Sequence, residues 1–213
     1  MGIILLAVIL MALLISFTNR ELDVNLILPA ITVSIIIIFV WIFSKKAIGS
    51  YIDAEVSMKI TPFQRWWITT AAHFKKPLPG GILFPLIFLL ISQGAIKILA
   101  ILSFDARALP AKAAKKYGLT RRSGLMNEWD YALIAFWSLV AVMALGIVSR
   151  TIFSYSPANG LILLSKYSLY FVLWNLLPLG HIDGSRIFFG SKPLYIFSLI
   201  LAALTFFIVF PVL

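Results

Sequence analysis

The chain has 213 residues, of which 62% are hydrophobic and only 12% are charged. Soluble domains carry about 25% charged residues, so this composition, with a mean hydropathy of +1.02, predicts an integral membrane protein. The absence of cysteine excludes disulfides and cysteine-based zinc sites. The formal net charge of +10 comes from basic residues clustered in loops beside apolar segments, a pattern typical of membrane topology. We therefore expect contact with the lipid bilayer and no nucleic-acid partner.

Six apolar segments are candidates for helices in the membrane. A helix that spans the hydrocarbon core needs about 20 apolar residues, and the first segment is shorter than that. This first segment also lacks a basic start and a small-residue cleavage site, which favours a retained anchor over a signal peptide. No repeat or linker divides the chain, so we predict one integral membrane domain, 1–213. The segments are 3–17, 25–43, 80–102, 130–149, 160–179 and 193–213.

Two basic loops set the predicted topology. Segments 44–79 and 103–128 each contain six Lys or Arg residues, and the positive-inside rule predicts that both are cytoplasmic. A single crossing by segment 80–102 would place them on opposite sides of the membrane. That segment is broken by Pro and Gly near its start and by Gln93 and Gly94 in its middle. We therefore predict a re-entrant helical hairpin that is buried in protein.

The sequence around this hairpin supports the same topology. Residues 54–60 alternate apolar and polar side chains, as a half-buried strand does, and residues 103–109 alternate more weakly. If these strands pair beneath the hairpin, Lys59 and Lys116 lie on the same side of the membrane. The alternative is an ordinary spanning helix whose Lys97 extends its amine to the interface. The predicted fold class is an all-α polytopic membrane protein with about five transmembrane helices, the hairpin and two short strands.

A polar motif follows the fifth apolar segment, and it consists of Asn175, Pro178, Asp183 and Gly184. An aspartate at the bilayer centre costs roughly 3 kcal/mol or more, so a functional role is its default interpretation. A structural interpretation is also open. Pro178 can end a helix, Gly184 can permit a turn, and Asn175 can satisfy backbone groups that the proline frees. Asp183 would then be a helix cap.

These four residues have the spacing of the second zinc-ligand motif of site-2 proteases, N-x-x-P-x-x-x-x-D-G. The chain resembles that family, and within it a group of small archaeal-type membrane proteins. The resemblance covers about residues 38–192. We place the site-2-protease-like core at about residues 25–192. Weaker similarities lie at 53–60, 74–79 and 127–130. The resemblance implies a helical bundle in the plasma membrane of a prokaryote. It also implies a zinc ion near the cytoplasmic face, held by two histidines of one helix and an aspartate of another.

The partner motif of that family, H-E-x-x-H, is absent. Its place is about a dozen residues before the first strand, near Trp41–Lys45, but no histidine occurs from Met1 to Ala72. Zinc catalysis needs three protein ligands and an open water position, and a base for that water. Because only Asp183 remains, we expect neither catalytic residues nor a bound cofactor. Lys45, near the place of the second histidine, is the predicted partner of Asp183, unless it faces solvent at a helix end.

The leading functional hypothesis is a catalytically inactive, site-2-protease-like membrane protein. It would bind a transmembrane segment or a membrane-protein partner as an adaptor or regulator. One alternative is an active intramembrane zinc metalloprotease with a non-standard site of His73, His181 and Asp183, and with Glu55 or Glu128 as its base. Another alternative is a transporter or channel component, although four of the apolar segments contain almost no ionisable residues for a polar pathway.

Overall fold

The computed structural model describes residues 2–18, 21–65, 73–109, 126–156 and 159–210. The helices are α1 (Gly2–Ser16), α2 (Val24–Tyr51), α3 (Gly80–Ile91), α4 (Glu128–Tyr155), α5 (Asn159–Leu176), α6 (Asp183–Gly190) and α7 (Lys192–Val209). The strands are β1 (Phe17–Thr18), β2 (Glu21–Leu22), β3 (Ala54–Ile60), β4 (Phe63–Arg65), β5 (His73–Leu78) and β6 (Leu102–Ala108).

Three of the described helices, α2, α4 and α7, are long and apolar enough to cross a membrane. At a rise of about 1.5 Å per residue, the 28 residues of α2 and of α4 exceed the hydrocarbon thickness of about 30 Å. Helices α1, α3 and α5 are apolar but shorter. This agrees with the prediction of a membrane protein. The described part of the chain nevertheless has fewer candidate spans than the five expected, because α1 and α5 are shorter than a spanning helix.

Helix α4 is the central element of the bundle and packs against α2, α5, α6 and α7. Its buried face includes Ala135, Ser138, Gly146 and Ser149. Small side chains of this kind let neighbouring helices approach closely, which is how helices associate in lipid. At Gly146, for example, α5 approaches through Ser168. Helix α1 packs against α2 on the other side of the bundle.

Segment 80–102 begins and ends beside Thr61, the residue that follows β3. The Gly81 N–H donates to the Thr61 carbonyl (2.9 Å), and the Thr61 N–H donates to the Ile101 carbonyl (3.1 Å). A side chain at Gly81 would overlap that same Ile101 carbonyl. The two ends of the segment therefore meet at Thr61, as a re-entrant path requires.

The return half of the hairpin is not helical, and in this respect the sequence-based prediction was wrong. Helix α3 ends at a turn in which Gln93 and Gly94 have positive φ angles of 54° and 90°. Residues 95–101 then retrace the length of α3, which is about 18 Å at the helical rise. Seven helical residues would cover only about 10 Å, whereas an extended chain of about 3.3 Å per residue covers about 23 Å. The return is therefore extended.

The two predicted strands pair with each other. Strands β3 and β6 are antiparallel along their full length, from Ala54 opposite Ala108 to Ile60 opposite Leu102. Side chains of β3 alternate between buried and exposed at its start, as the sequence pattern predicted. Strand β6 begins one residue earlier than expected. The pairings of β1 with β2 and of β4 with β5 were not predicted. The described fold is mainly helical, which agrees with the predicted class.

This pairing gives a topology test in a chain without cysteine. Glu55 and Arg107 are opposite each other in the sheet, whereas Tyr155 ends α4 at the far end of the bundle. We expect a membrane-impermeant thiol reagent to label Glu55→Cys and Arg107→Cys from the same side, and Tyr155→Cys from the other. Labelling of the first two variants from opposite sides would contradict the hairpin. Lys116, which the sequence placed with Lys59, lies outside the described residues.

Candidate functional site

Asp183 is fully buried, with 0% of its surface exposed, and both of its carboxylate oxygens accept hydrogen bonds from α2. The Lys45 ammonium donates to Oδ1 at 2.7 Å, and the Trp41 indole N–H donates to Oδ2 at 2.8 Å. Trp41 and Lys45 are four residues apart, so the same face of α2 presents both donors. The contact between Lys45 and Asp183 that the sequence suggested is therefore present, and Lys45 does not face solvent.

Aromatic rings complete the surroundings of the Lys45 ammonium. Its Nζ lies 3.8 Å from the ring centroid of Phe104 and 4.4 Å from that of Trp41. The face of an aromatic ring attracts a cation, most strongly where water is excluded. Phe104 belongs to β6 and is only 2% exposed. The sheet therefore covers the ion pair, and the rings take the place of part of the water that Lys45 loses on burial.

The chain between α5 and α6 brings Asp183 to this position. Pro178 lies two residues beyond the end of α5, and Gly180 adopts a left-handed φ of 58° in the following turn. At Gly184 a side chain would overlap the carbonyl of Leu176. Only glycine lets α6 begin this close to the end of α5. Asp183 is then in the first turn of α6, where the helix dipole favours a negative charge.

Two structural roles suggested by the sequence are not observed. Asp183 does not cap α6, whose N-cap is Ile182, because its oxygens accept from Trp41 and Lys45. Asn175 also does not donate to the backbone carbonyl that Pro178 leaves without an N–H partner. That carbonyl would belong to Trp174, four positions before the proline. The Asn175 amide instead donates to the Phe171 carbonyl at 2.9 Å. Its side-chain oxygen is buried without a hydrogen-bond partner.

A polar cavity of about 260 Å³ lies one turn of α6 beyond Asp183. Arg186 lines it, with its guanidinium 4.7 Å from the ring centroid of Tyr131. The Arg186 Nε is buried and has no hydrogen-bond partner among the described residues. His181, Glu128 and Ser185 also line this cavity. The buried pair is therefore adjacent to a site that holds a guanidinium, an imidazole and a carboxylate.

The charges at this end of the bundle shift two pKa values outside the helices. Burial lowers the pKa of His181, and the nearby positive charge of Arg186 lowers it further. His181 is therefore neutral near pH 7. On β6, the hydrogen bond from the Lys59 ammonium, 2.8 Å long, is the main reason that the pKa of Asp105 is lowered. Asp105 stays ionised and also accepts from the Tyr131 hydroxyl at 3.3 Å.

The structure does not bring together Asp183 and His181, two of the residues of the non-standard zinc site. Asp183 is fully buried against α2, whereas His181 lines the cavity beside Arg186. The side chain of His73 lies outside the described part of the chain. Within that part, no group of three or more His, Cys, Asp or Glu side chains is arranged to hold a metal ion. Glu55, one of the two predicted bases, is exposed on β3, and Glu128 lines the cavity beside Arg186.

The sequence did not predict three members of the site, which are Trp41, Phe104 and Arg186. A signal existed for Trp41, since it precedes Lys45 by four positions, which is the spacing of the two histidines in H-E-x-x-H. Phe104 and Arg186 carry no such signal, because only tertiary packing brings them to the ion pair.

No family model, no curated protein and no solved structure matches this chain. The resemblance to site-2 proteases therefore depends on the sequence motif alone.

The ion pair predicts a strong energetic coupling. Removing one partner of a buried pair typically costs about 3–5 kcal/mol, because an uncompensated charge stays behind. We expect Lys45→Met and Asp183→Asn to lower the free energy of unfolding by about this amount each. The double variant should cost about 2 kcal/mol less than their sum. Denaturant titration of the full chain in micelles measures all four states of this cycle.

The same chain offers a matched control in the exposed pair of Lys59 and Asp105, whose side chains are 55% and 31% exposed. A cycle of Lys59→Met and Asp105→Asn should give a coupling below about 1 kcal/mol, as exposed pairs do. Equal couplings in the two cycles, or additive losses for Lys45 and Asp183, would show that the buried pair does not stabilise the fold.

Proposed function

We propose that this chain is a membrane protein with a site-2-protease-like scaffold in which an ion pair replaces the catalytic zinc, and that it binds a transmembrane segment or a membrane-protein partner as an adaptor or regulator. One observation carries this proposal. Trp41 and Lys45 donate to both oxygens of Asp183 from the segment where the family has H-E-x-x-H. In that register Trp41 and Lys45 occupy the two histidine positions, and Ile42 occupies the position of the glutamate.

The chemistry of the observed groups supports an inactive scaffold. A zinc protease needs a metal-bound water and a base that takes its proton. Here an ammonium and an indole N–H saturate the carboxylate of Asp183, and Ile42 cannot accept a proton. The ammonium can still connect α2 to α6, as a shared metal ion would. The positive-inside rule supports placing this end of the bundle at the cytoplasmic face of a prokaryotic plasma membrane.

The surface of α7 supports binding of a membrane partner. We compare the share of buried residues in an apolar 18-residue stretch of each candidate span. This share is 22% in α7, against 39% in α2 and 56% in α4. Large apolar side chains are exposed along it, among them Phe197, Ile200, Leu204 and Phe207. Such a face contacts either lipid or another helix. Because α7 is the least buried of the three candidate spans, we assign its exposed surface to the partner.

Rebuilding the lost motif tests the scaffold. The variant Trp41→His/Ile42→Glu/Lys45→His places two imidazoles four residues apart, facing Asp183. We expect it to bind about one zinc ion per chain, measured by elemental analysis, and to lose that zinc when Asp183→Ala is added. The control variant Ile42→His/Lys46→His has the same number of new histidines on a different face of α2 and should bind none stoichiometrically.

The unmodified chain provides the opposite test. If it held about one zinc ion, lost on Asp183→Ala, the ion-pair interpretation would be wrong and the metalloprotease alternative would be favoured. Failure of the rebuilt variant to bind zinc would contradict the site-2-protease-like geometry, even if the chain binds a partner.

Crosslinking in native membranes tests partner binding directly. A photoreactive residue at Leu204 of α7, which is 55% exposed, should give one discrete protein adduct. The same residue at Leu5 of α1, which is 63% exposed, should give none, because it contacts lipid. Mass spectrometry of the adduct identifies the partner. The same adducts at both positions, or none at Leu204, would contradict the assignment of α7 as the partner face.

A further inference from the structure

A second polar cavity lies at the opposite end of α2 from Lys45. The Asp23 N–H donates to the Ser16 carbonyl at 3.1 Å, so α2 begins beside the end of α1. At that same end the Lys97 ammonium donates to the Ile15 carbonyl at 3.0 Å. The stretch of α2 from Asp23 to Lys45 is about 33 Å long at about 1.5 Å per residue. The two ammonium groups therefore lie toward opposite ends of α2.

This cavity, which we call the Lys97 cavity, has a volume of about 480 Å³. It lies between the tip of the hairpin, the end of α1 and the middle of α5. Hydroxyl, amide and ammonium groups supply its polar surface, and none of its lining residues in the described part of the chain is acidic. The polar residues that line it are Thr18, Ser92, Gln93, Lys97, Tyr167 and Tyr170.

The charge of Lys97 has no anionic partner among the described residues. Besides the Ile15 carbonyl, its ammonium donates to the Thr18 hydroxyl (3.4 Å) and the Tyr167 hydroxyl (3.0 Å). These oxygens are neutral, and the end of α1 adds only about half of a negative charge. Neither salt bridge of the described residues includes Lys97. A half-buried cation that faces a cavity of this kind is suited to an anionic ligand.

Gln93 supplies a second donor group to the same cavity. It directly follows Ser92, the C-cap of α3, and its φ of 54° is the left-handed conformation in which helices commonly end. The Gln93 amide carries two N–H donors, and Gln93 and Lys97 line the same cavity. The turn at the tip of the hairpin therefore adds an amide to a lining that contains the Lys97 ammonium.

Apolar surface next to the cavity distinguishes a lipid from a free anion. Leu90 and Ile91, which directly precede Ser92, are 72% and 76% exposed. An acyl chain can lie along these side chains while its headgroup reaches the cavity, whereas inorganic phosphate makes no use of them. Lys and Tyr side chains are also typical of the membrane–water interface. We propose that the Lys97 cavity binds the phosphate of a phospholipid headgroup. This inference does not depend on the proposed function.

The test titrates three probes against the purified full chain in detergent. These are dioctanoyl phosphatidic acid, inorganic phosphate and dioctanoylglycerol, and native mass spectrometry measures binding. We expect phosphatidic acid to bind at least about tenfold more tightly than the other two, because only it has both the phosphate and the acyl chains. Equal affinity for inorganic phosphate would overturn the lipid assignment. Equal affinity for dioctanoylglycerol would overturn the role of the phosphate.

Variants locate the site. Lys97→Met should weaken phosphatidic acid binding by at least about tenfold, through loss of a charge-assisted contact. Lys166→Met, an exposed lysine beside Tyr167 on α5, removes the same charge outside the cavity and should leave binding unchanged. Gln93→Gly relieves the left-handed backbone, so it should fold even if Lys97→Met does not, and it should weaken binding at least about threefold. The proposal would be overturned if folded Lys97→Met or Gln93→Gly bound phosphatidic acid with wild-type affinity. It would also be overturned if Lys97→Met and Lys166→Met lost the same affinity.

Discussion

The buried ion pair of Lys45 and Asp183 is the interaction on which the rest of the described structure depends. Each ion loses several kcal/mol of hydration on burial, and only the partner ion and well-placed hydrogen bonds compensate that loss. Both side chains are completely buried, so α2 and α6 can take only the relative positions in which the two charges meet. A rotation of α2 by one residue, about 100°, would turn both Lys45 and Trp41 away from the carboxylate. The pair therefore fixes the rotation of α2 and, through Phe104 above the ammonium, the position of the sheet.

The geometry of this pair fits the proposed replacement of a metal ion by an ion pair. Two nitrogen donors from one helix face and one carboxylate from another helix are also the arrangement of a zinc centre with two histidines and an aspartate. In the proposed replacement, a single ammonium charge neutralises the single carboxylate charge, and the indole satisfies the second oxygen. No further ligand is needed, which distinguishes this site from a catalytic zinc centre and its open position. Gly184 retains a packing role, because α6 still has to begin against α5.

The features that the sequence predicted are those with a local signal. Strand β3 was predicted because one of its faces is buried, which leaves a period of two. The partner of Asp183 could be suggested because Lys45 lies near the place of the second histidine in the motif that the sequence resembles. Phe104 and Arg186 were not, since their contacts join segments far apart in the chain and leave no periodic pattern. The extended return of the hairpin was missed for a different reason. It follows from the length that residues 95–101 must cover, which depends on where both ends of the segment are held.

Lys45 and Lys97 show how the surroundings of a charge decide what it can do. Lys45 is fully enclosed, with a carboxylate and two aromatic rings around its ammonium, so a ligand cannot reach it without breaking the core. Lys97 has the same charge and is bound by neutral oxygens at the wall of an open cavity. An anion that enters this cavity gains a charge-assisted contact without displacing a carboxylate. The enclosed lysine therefore contributes to stability, and the open one is available for binding.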